Sequence, residues 1–149
     1  MPPKSIDKIY PKPPSLCTCM NVRRASRAVT QFYDSVLSPC GLSLAQMSLL
    51  KNLAANEPTT ITDLAKLMRI DRTTLNRNMK PLADSGLIEI CAGQDSRTRQ
   101  VRSTESGKIA FEKAWALWGE AQVLIQGYLG EEDSSRLVHL LSKLEALAP

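Results

Sequence analysis

Aromatic residues are scarce. Two Phe, two Trp and three Tyr make up 5% of 149 residues, which excludes the stacking platform by which proteins grip single-stranded nucleic acid. Histidine occurs once, at His139, and the four cysteines (Cys17, Cys19, Cys40 and Cys91) include no CxxC pair, so a zinc site is not expected. No apolar run approaches the ~20 residues that span a bilayer. The opening residues Met1-Pro-Pro-Lys4-Ser lack the apolar core of a secretory signal. A cytoplasmic location with reduced thiols is therefore expected. A Gly-rich phosphate loop, a Ser/His/Asp set and a paired acid and base are all missing, which argues against an enzyme and against a bound cofactor.

What is present is an uneven distribution of charge. The net charge is only +4, with a pI near 9.0. From Arg69 to Arg102, however, seven basic residues face four acids, and from Glu105 onward seven acids face four bases. A basic middle beside an acidic tail suits a DNA-facing surface on a larger scaffold, although a solvated charged surface would look the same.

Hydrophobic spacing and end signals predict an α+β chain, mostly helical. Five prolines within residues 1–15 predict an extended arm. Ser15 is a candidate N-cap for a helix from Leu16 to about Leu37, which breaks at Ser38-Pro-Cys-Gly41. Ser43 and Gln46 form a capping box for the next helix. Thr60 and Asp71 each cap a shorter helix, the second running from Arg72 to about Ser85 and stopped by Gly86. Leu87–Ile90 and Gln100–Ser103 read as strands joined by a turn at Gly93–Ser96. Thr104 starts a long helix to Leu129, and Glu131–Leu147 forms a last amphipathic helix. The leucine stripe of that helix and the run Ala114-Trp115-Ala-Leu117-Trp118 exceed what one small lobe can cover, which predicts a homodimer.

Two short helices about a tight turn, Thr60 to Ser85, have helix-turn-helix spacing. In the second, Leu75, Met79 and Leu82 fall at core positions. Thr73, Thr74, Asn76, Arg77 and Lys80 remain on outward faces, with side chains that suit base edges and phosphates. The hairpin that follows carries Asp95, Arg97 and Arg99 at its tip, and a cationic loop of that reach fits the minor groove. A helix-turn-helix followed by a basic hairpin is the winged arrangement.

The stretches Ile61-Thr-Asp-Leu-Ala-Lys-Leu67, Arg72-Thr-Thr-Leu-Asn-Arg-Asn78 and Ser85-Gly-Leu-Ile88, and above all Asp95-x-Arg97-x-x-x-Val101-x-x-Thr104-x-x-Gly107, resemble the multiple-antibiotic-resistance regulator (MarR) family over about residues 16–147. The resemblance implies a sequence-specific regulator of transcription, by family habit a repressor. It implies a dimer on a pseudopalindromic double-stranded operator, with recognition helices about 34 Å apart. Residues 43–104 would form the winged helix-turn-helix lobe, flanked by dimerisation helices in 16–42 and 105–147. It also implies that Asp95 orients Arg97. Ser103 departs from the leucine usual in the family. A winged-helix interaction module without DNA binding is the alternative, and a thiol peroxidase is a third reading.

Cys17 and Cys19 fall in the first turns of the first helix, where the helix terminus favours a thiolate, and Arg23 lies one turn beyond Cys19. Organic-hydroperoxide sensors of the family place a reactive Cys there and a Tyr further along the helix, which implies a redox role for Cys19 with Tyr33. Leu44 stands where those sensors carry a second Tyr. The competing reading is that both thiols only pack. Family members also bind small aromatic effectors between the first, second and long helices, where Phe32, Met47 and Trp115 are candidate lining residues or plain core.

Overall fold

The computed structural model describes residues 4–6 and 11–149. Of the extended-arm expectation for residues 1–15, Pro2 and Pro3 lie outside the described residues, while 11–14 are exposed and without regular structure. The first helix, α1 (Thr18–Leu37), begins two residues later than expected, with Cys17 rather than Ser15 at its N-cap. The Ser15 hydroxyl instead accepts from the Cys17 N–H at 3.1 Å, and the Ser15 backbone exchanges two 2.8 Å hydrogen bonds with the Asn21 amide. That closed loop fixes the entry of the chain into α1, whose first N–H groups have no side-chain cap.

A 3-10 turn at Ser38–Cys40 ends on Gly41 in the left-handed region, φ 74°, and leads to α2 (Leu44–Asn56). Its Ser43–Gln46 capping box is complete, and Asp34 of α1 accepts from the Leu44 N–H at 2.7 Å. Helices α3 (Ile61–Met68) and α4 (Arg72–Asp84) start on the Thr60 and Asp71 caps. Helix α4 closes with the N–H groups of Gly86 and Leu87 returning to the carbonyls of Ala83 and Leu82, a Schellman ending that requires the positive φ of Gly86.

Three antiparallel strands follow the order β1-β3-β2: β1 (Thr59–Thr60), β2 (Ile88–Ala92) and β3 (Arg99–Ser103). Thr60 pairs with Gln100, and Ile88 with Ser103. Strand β1 has no counterpart among the strands expected from sequence. Helix α5 (Glu105–Leu129) is capped by Thr104, and α6 (Glu131–Glu145) follows Gly130.

The main core lies in the helix-turn-helix lobe, where Leu49, Leu50, Leu53, Leu64, Leu75, Met79, Leu82 and Val101 are almost fully buried. A second cluster of Tyr33, Val36 and Ala121 joins α1 to α5. Helix α6 buries no residue, and Leu137, Leu140, Leu141 and Leu144 stay exposed. Among the described residues no helix is long and apolar enough to cross a membrane.

Candidate nucleic-acid interface

The three apolar residues of α4 point inward as their spacing required, and this fixes what faces out. Thr73, Asn76 and Arg77 are exposed. Thr74 is half-buried. Its N–H donates to Asp71 Oδ1 at 2.8 Å, and its hydroxyl donates to Oδ2 at 2.9 Å. These bonds to the ionised form hold the Asp71 carboxyl below the usual carboxylate range. Lys80 is exposed but its ammonium meets Asp84 at 3.0 Å, one turn on. The polar face of α4 is therefore made by Thr73, Asn76 and Arg77, with Thr74 and Lys80 engaged within the helix.

The wing projects beside this face. Asp95 Oδ1 accepts from the Arg97 backbone N–H at 3.2 Å, and the Asp95 carbonyl accepts from the Thr98 N–H at 3.0 Å. Asp95 thus orders the turn through the backbone and leaves the Arg97 guanidinium free. Arg99 is the first residue of β3, opposite Ala92, rather than part of the loop. Arg102, further along the strand, is paired with Glu89 at 3.0 Å.

The wing base explains the spacing of the sequence motif. Val101 is fully buried. Thr104 caps α5 by accepting from the Gly107 N–H at 3.1 Å, and its hydroxyl donates to the Gly86 carbonyl at 2.7 Å. Gly107 has no room for a side chain: a Cβ there would lie 2.0 Å from the Leu87 carbonyl oxygen. Ser103, the departure from the family pattern, is buried, and both its N–H and its hydroxyl donate to Glu57 at the end of α2. A polar anchor stands where a leucine side chain would pack.

Comparison with known proteins agrees with this architecture. A helix-turn-helix domain model matches residues 45–91. The transcriptional regulator MosR of M. tuberculosis, solved in complex with DNA, is 32% identical, with a TM-score of 0.76 over 89% of this chain and 99% of that one. The chain belongs to the MarR family of winged helix-turn-helix transcriptional regulators. This MarR-family chain is also 29% identical, over 77% of its length and 81% of the relative, to the HTH-type transcriptional regulator BilQ of Clostridium symbiosum. It shares its fold with a mutant form of E. coli MarR complexed with operator DNA, at 24% identity, a TM-score of 0.72, and 83% and 89% coverage. The family is one of regulators, not of enzymes.

The remaining candidates are scattered. Cys17 and Cys19 are exposed. Tyr33 is buried, edge-on to Phe32 with ring centroids 5.9 Å apart, and its hydroxyl donates to Gln122 on α5. Burial raises its phenol above the ordinary value. Fourteen residues separate Cys19 from Tyr33, about 21 Å along a helix, so the two do not meet within one chain. Met47 is core, Phe32 belongs to the second cluster, and Trp115 is 41% exposed. Trp115 stacks on Trp118 at 4.7 Å, with the Lys51 ammonium 4.9 Å from its ring. Trp118 packs against both the cluster that holds Met47 and the one that Phe32 joins, so it lies between these residues and Trp115. His139 is exposed on α6. The sequence reading missed Arg72 and Ile90, which line a furrow between α4 and the wing. Arg72 carries the right charge, but its position facing the wing follows only from the packing of α4 on β2.

Proposed function

We propose that this regulator grips double-stranded DNA as a homodimer, with α4 in the major groove and the wing in the adjacent minor groove. The observation that carries the reading is the placement of Thr73, Asn76 and Arg77 on one exposed face, flanked by Arg97 and Arg99, with no carboxylate paired to any of these three arginines among the described residues. Unneutralised arginines beside an exposed helix are suited to phosphates and guanine edges. The MosR and MarR structures, both with DNA, support it. Dimerisation is supported by the uncovered leucines of α6 and by α1 over residues 18–31, all exposed but the half-buried Asn21. Residues 43–104 act as the DNA-binding lobe on helices drawn from 16–42 and 105–147. A regulator of genomic DNA works in the cytoplasm and, by the habit of its family, represses.

The test is to incubate the purified protein with fragments of its own genome, sequence those retained, and titrate one such duplex at several salt concentrations. A pseudopalindrome among the retained fragments and a steep fall of affinity with salt are expected. Retention without any shared sequence would remove the claim of specific recognition.

Release of DNA by thiol oxidation is a second reading, favoured by the exposure of both N-terminal cysteines. Cys17, as N-cap, has extended backbone (φ −91°, ψ 117°), so drawing its sulfur to that of Cys19 disturbs only the first residues of α1. An aromatic effector seated near Phe32, Met47 and Trp115 is the alternative route to release.

A further inference from the structure

The cations between Arg69 and Arg102 divide into two groups. Arg69, Lys80 and Arg102 are each held by a carboxylate of their own chain, Glu145, Asp84 and Glu89 respectively. Arg72, Arg77, Arg97 and Arg99 pair with no acid among the described residues. Two of these free arginines come from different elements yet face the same space. Clefts of about 370 and 180 Å³ lie between α4 and the wing, and Arg72, Arg99 and Ile61 line both. Arg72 stands in the first turn of α4 and Arg99 at the start of β3. Thr62 and Arg97 border the smaller cleft, and Asn76, Lys80 and Asp84 the larger.

The carboxylate that lines the larger cleft, Asp84, is taken by Lys80, so the two guanidiniums have no acid of their own and repel each other, and an anion between them turns that repulsion into attraction. The planar fork of each guanidinium matches two phosphate oxygens, and both forks can bind one phosphate from opposite sides. Helix α4 is the element that enters the major groove and the wing the one that reaches the minor groove, so the furrow between them faces the sugar-phosphate ridge that separates the grooves. We propose that Arg72 and Arg99 clamp a single backbone phosphate of the DNA at this ridge, tying the recognition helix to the wing through the ligand. The clamp rests on the DNA-binding reading above and adds Arg72 to it. It positions and does not read sequence.

A shared phosphate leaves a signature that two separate contacts do not. Each neutralised phosphate adds about 0.9 to the magnitude of the slope of log K against log salt. The duplex retained from genomic DNA is titrated with wild type, R72A, R99A and R72A/R99A at several salt concentrations. Each variant is present in both protomers of the dimer, so the expected result is a loss of less than about 1.8 in slope for each single variant and about 1.8, one phosphate per half-site, for the double. The affinity losses should be sub-additive. A second arm replaces the phosphates of the duplex one at a time by uncharged methylphosphonate. One position in each half-site is expected to weaken wild type while leaving R72A/R99A unaffected. Slope losses of about 1.8 for each single variant and about 3.6 for the double, with additive affinities, would mean two separate phosphates per protomer and overturn the clamp while leaving the DNA-binding reading intact. Unchanged slopes, or the lack of such a methylphosphonate position, overturn it equally. A wild-type protein with no salt-dependent binding sinks the DNA-binding reading and the clamp with it. Both arginines are exposed, and melting curves matching wild type check that the variants fold.

Discussion

Replacing Gly107 by alanine adds one methyl group where the chain has no space for it. The new Cβ would lie 2.0 Å from the Leu87 carbonyl oxygen, against a normal contact of about 3.5 Å. Both atoms belong to or branch directly from the backbone, so no rotamer change relieves the overlap. The start of α5 must move away from the residue that leads into β2. That carbonyl accepts from the Thr104 N–H at 3.0 Å, and Thr104 also donates to the Gly86 carbonyl at 2.7 Å. Overpacking of this kind costs about 1–3 kcal/mol, and weakening one or both of these hydrogen bonds adds about 1 kcal/mol each. The expected destabilisation is about 2–5 kcal/mol, a lowering of Tm by about 5–15 °C for a chain of this size. Thermal and urea melts at matched protein concentration measure it. DNA affinity should fall as well, because the displaced joint sets the angle of the wing. A Tm within about 2 °C of wild type would show that the helix start yields freely, and would refute the account of why this motif position is glycine.

Arg97→Ala should leave the melting curve unchanged and lower the salt slope of DNA binding by about 0.9 per protomer, about 1.8 for the dimer, as measured by anisotropy titration. Arg77→Ala should flatten discrimination between the selected duplex and base-substituted versions, at about 1–3 kcal/mol per lost base contact. Leu141→Glu places a charge on the uncovered face of α6 and should shift the dimer to monomer in sedimentation at micromolar concentration. Asp71 has a lowered carboxyl pKa, so its cap is fully formed above the ordinary carboxylate value of about 4 and is lost as pH falls through the folded-state value. Wild type should therefore lose more Tm than Asp71→Asn on acidification from pH about 5 to about 3. Cys17 and Cys19 are exposed, whereas Cys40 is half-buried with its thiol donating to the Leu37 carbonyl at 3.0 Å. Alkylation followed by mass spectrometry should label the first pair faster, and equal rates at all four sites would remove the redox reading.

The parts of this fold that sequence made legible are those encoded within one helical turn. The caps at Ser43, Thr60, Asp71 and Thr104 bond to N–H groups three residues ahead, a spacing visible in any linear reading. Leu75, Met79 and Leu82 declare the buried side of α4 by the same periodicity. The start of α1 escapes such a reading because the bonds that set it join Ser15 to Asn21, six residues apart, outside any capping pattern. Strand β1 has only two residues, too few to alternate. The partner of Ser103 is Glu57, 46 residues away, and local spacing carries no information about that separation. Lys80 is a different case. Its bond to Asp84 is an i, i+4 pair that the sequence displays openly, and a reading of Lys80 by its charge alone passes over it.

Thr60 holds two posts at once. It is a residue of β1, paired with Gln100 of the wing, and its hydroxyl accepts from the Asp63 N–H at 3.1 Å to begin α3. The wing base cannot swing without uncapping α3, and α3 cannot tilt without dragging the sheet. Thr60 therefore couples strand to helix, and a push from α1 or α5 on one of them is passed to the other. In a dimer built of such lobes, a disturbance in the long helices emerges as a change in the separation of the two recognition helices. The quantity under control is then a length, set against the fixed helical repeat of DNA. A site whose half-sites are re-spaced by a base pair becomes a gauge of which conformation the dimer holds.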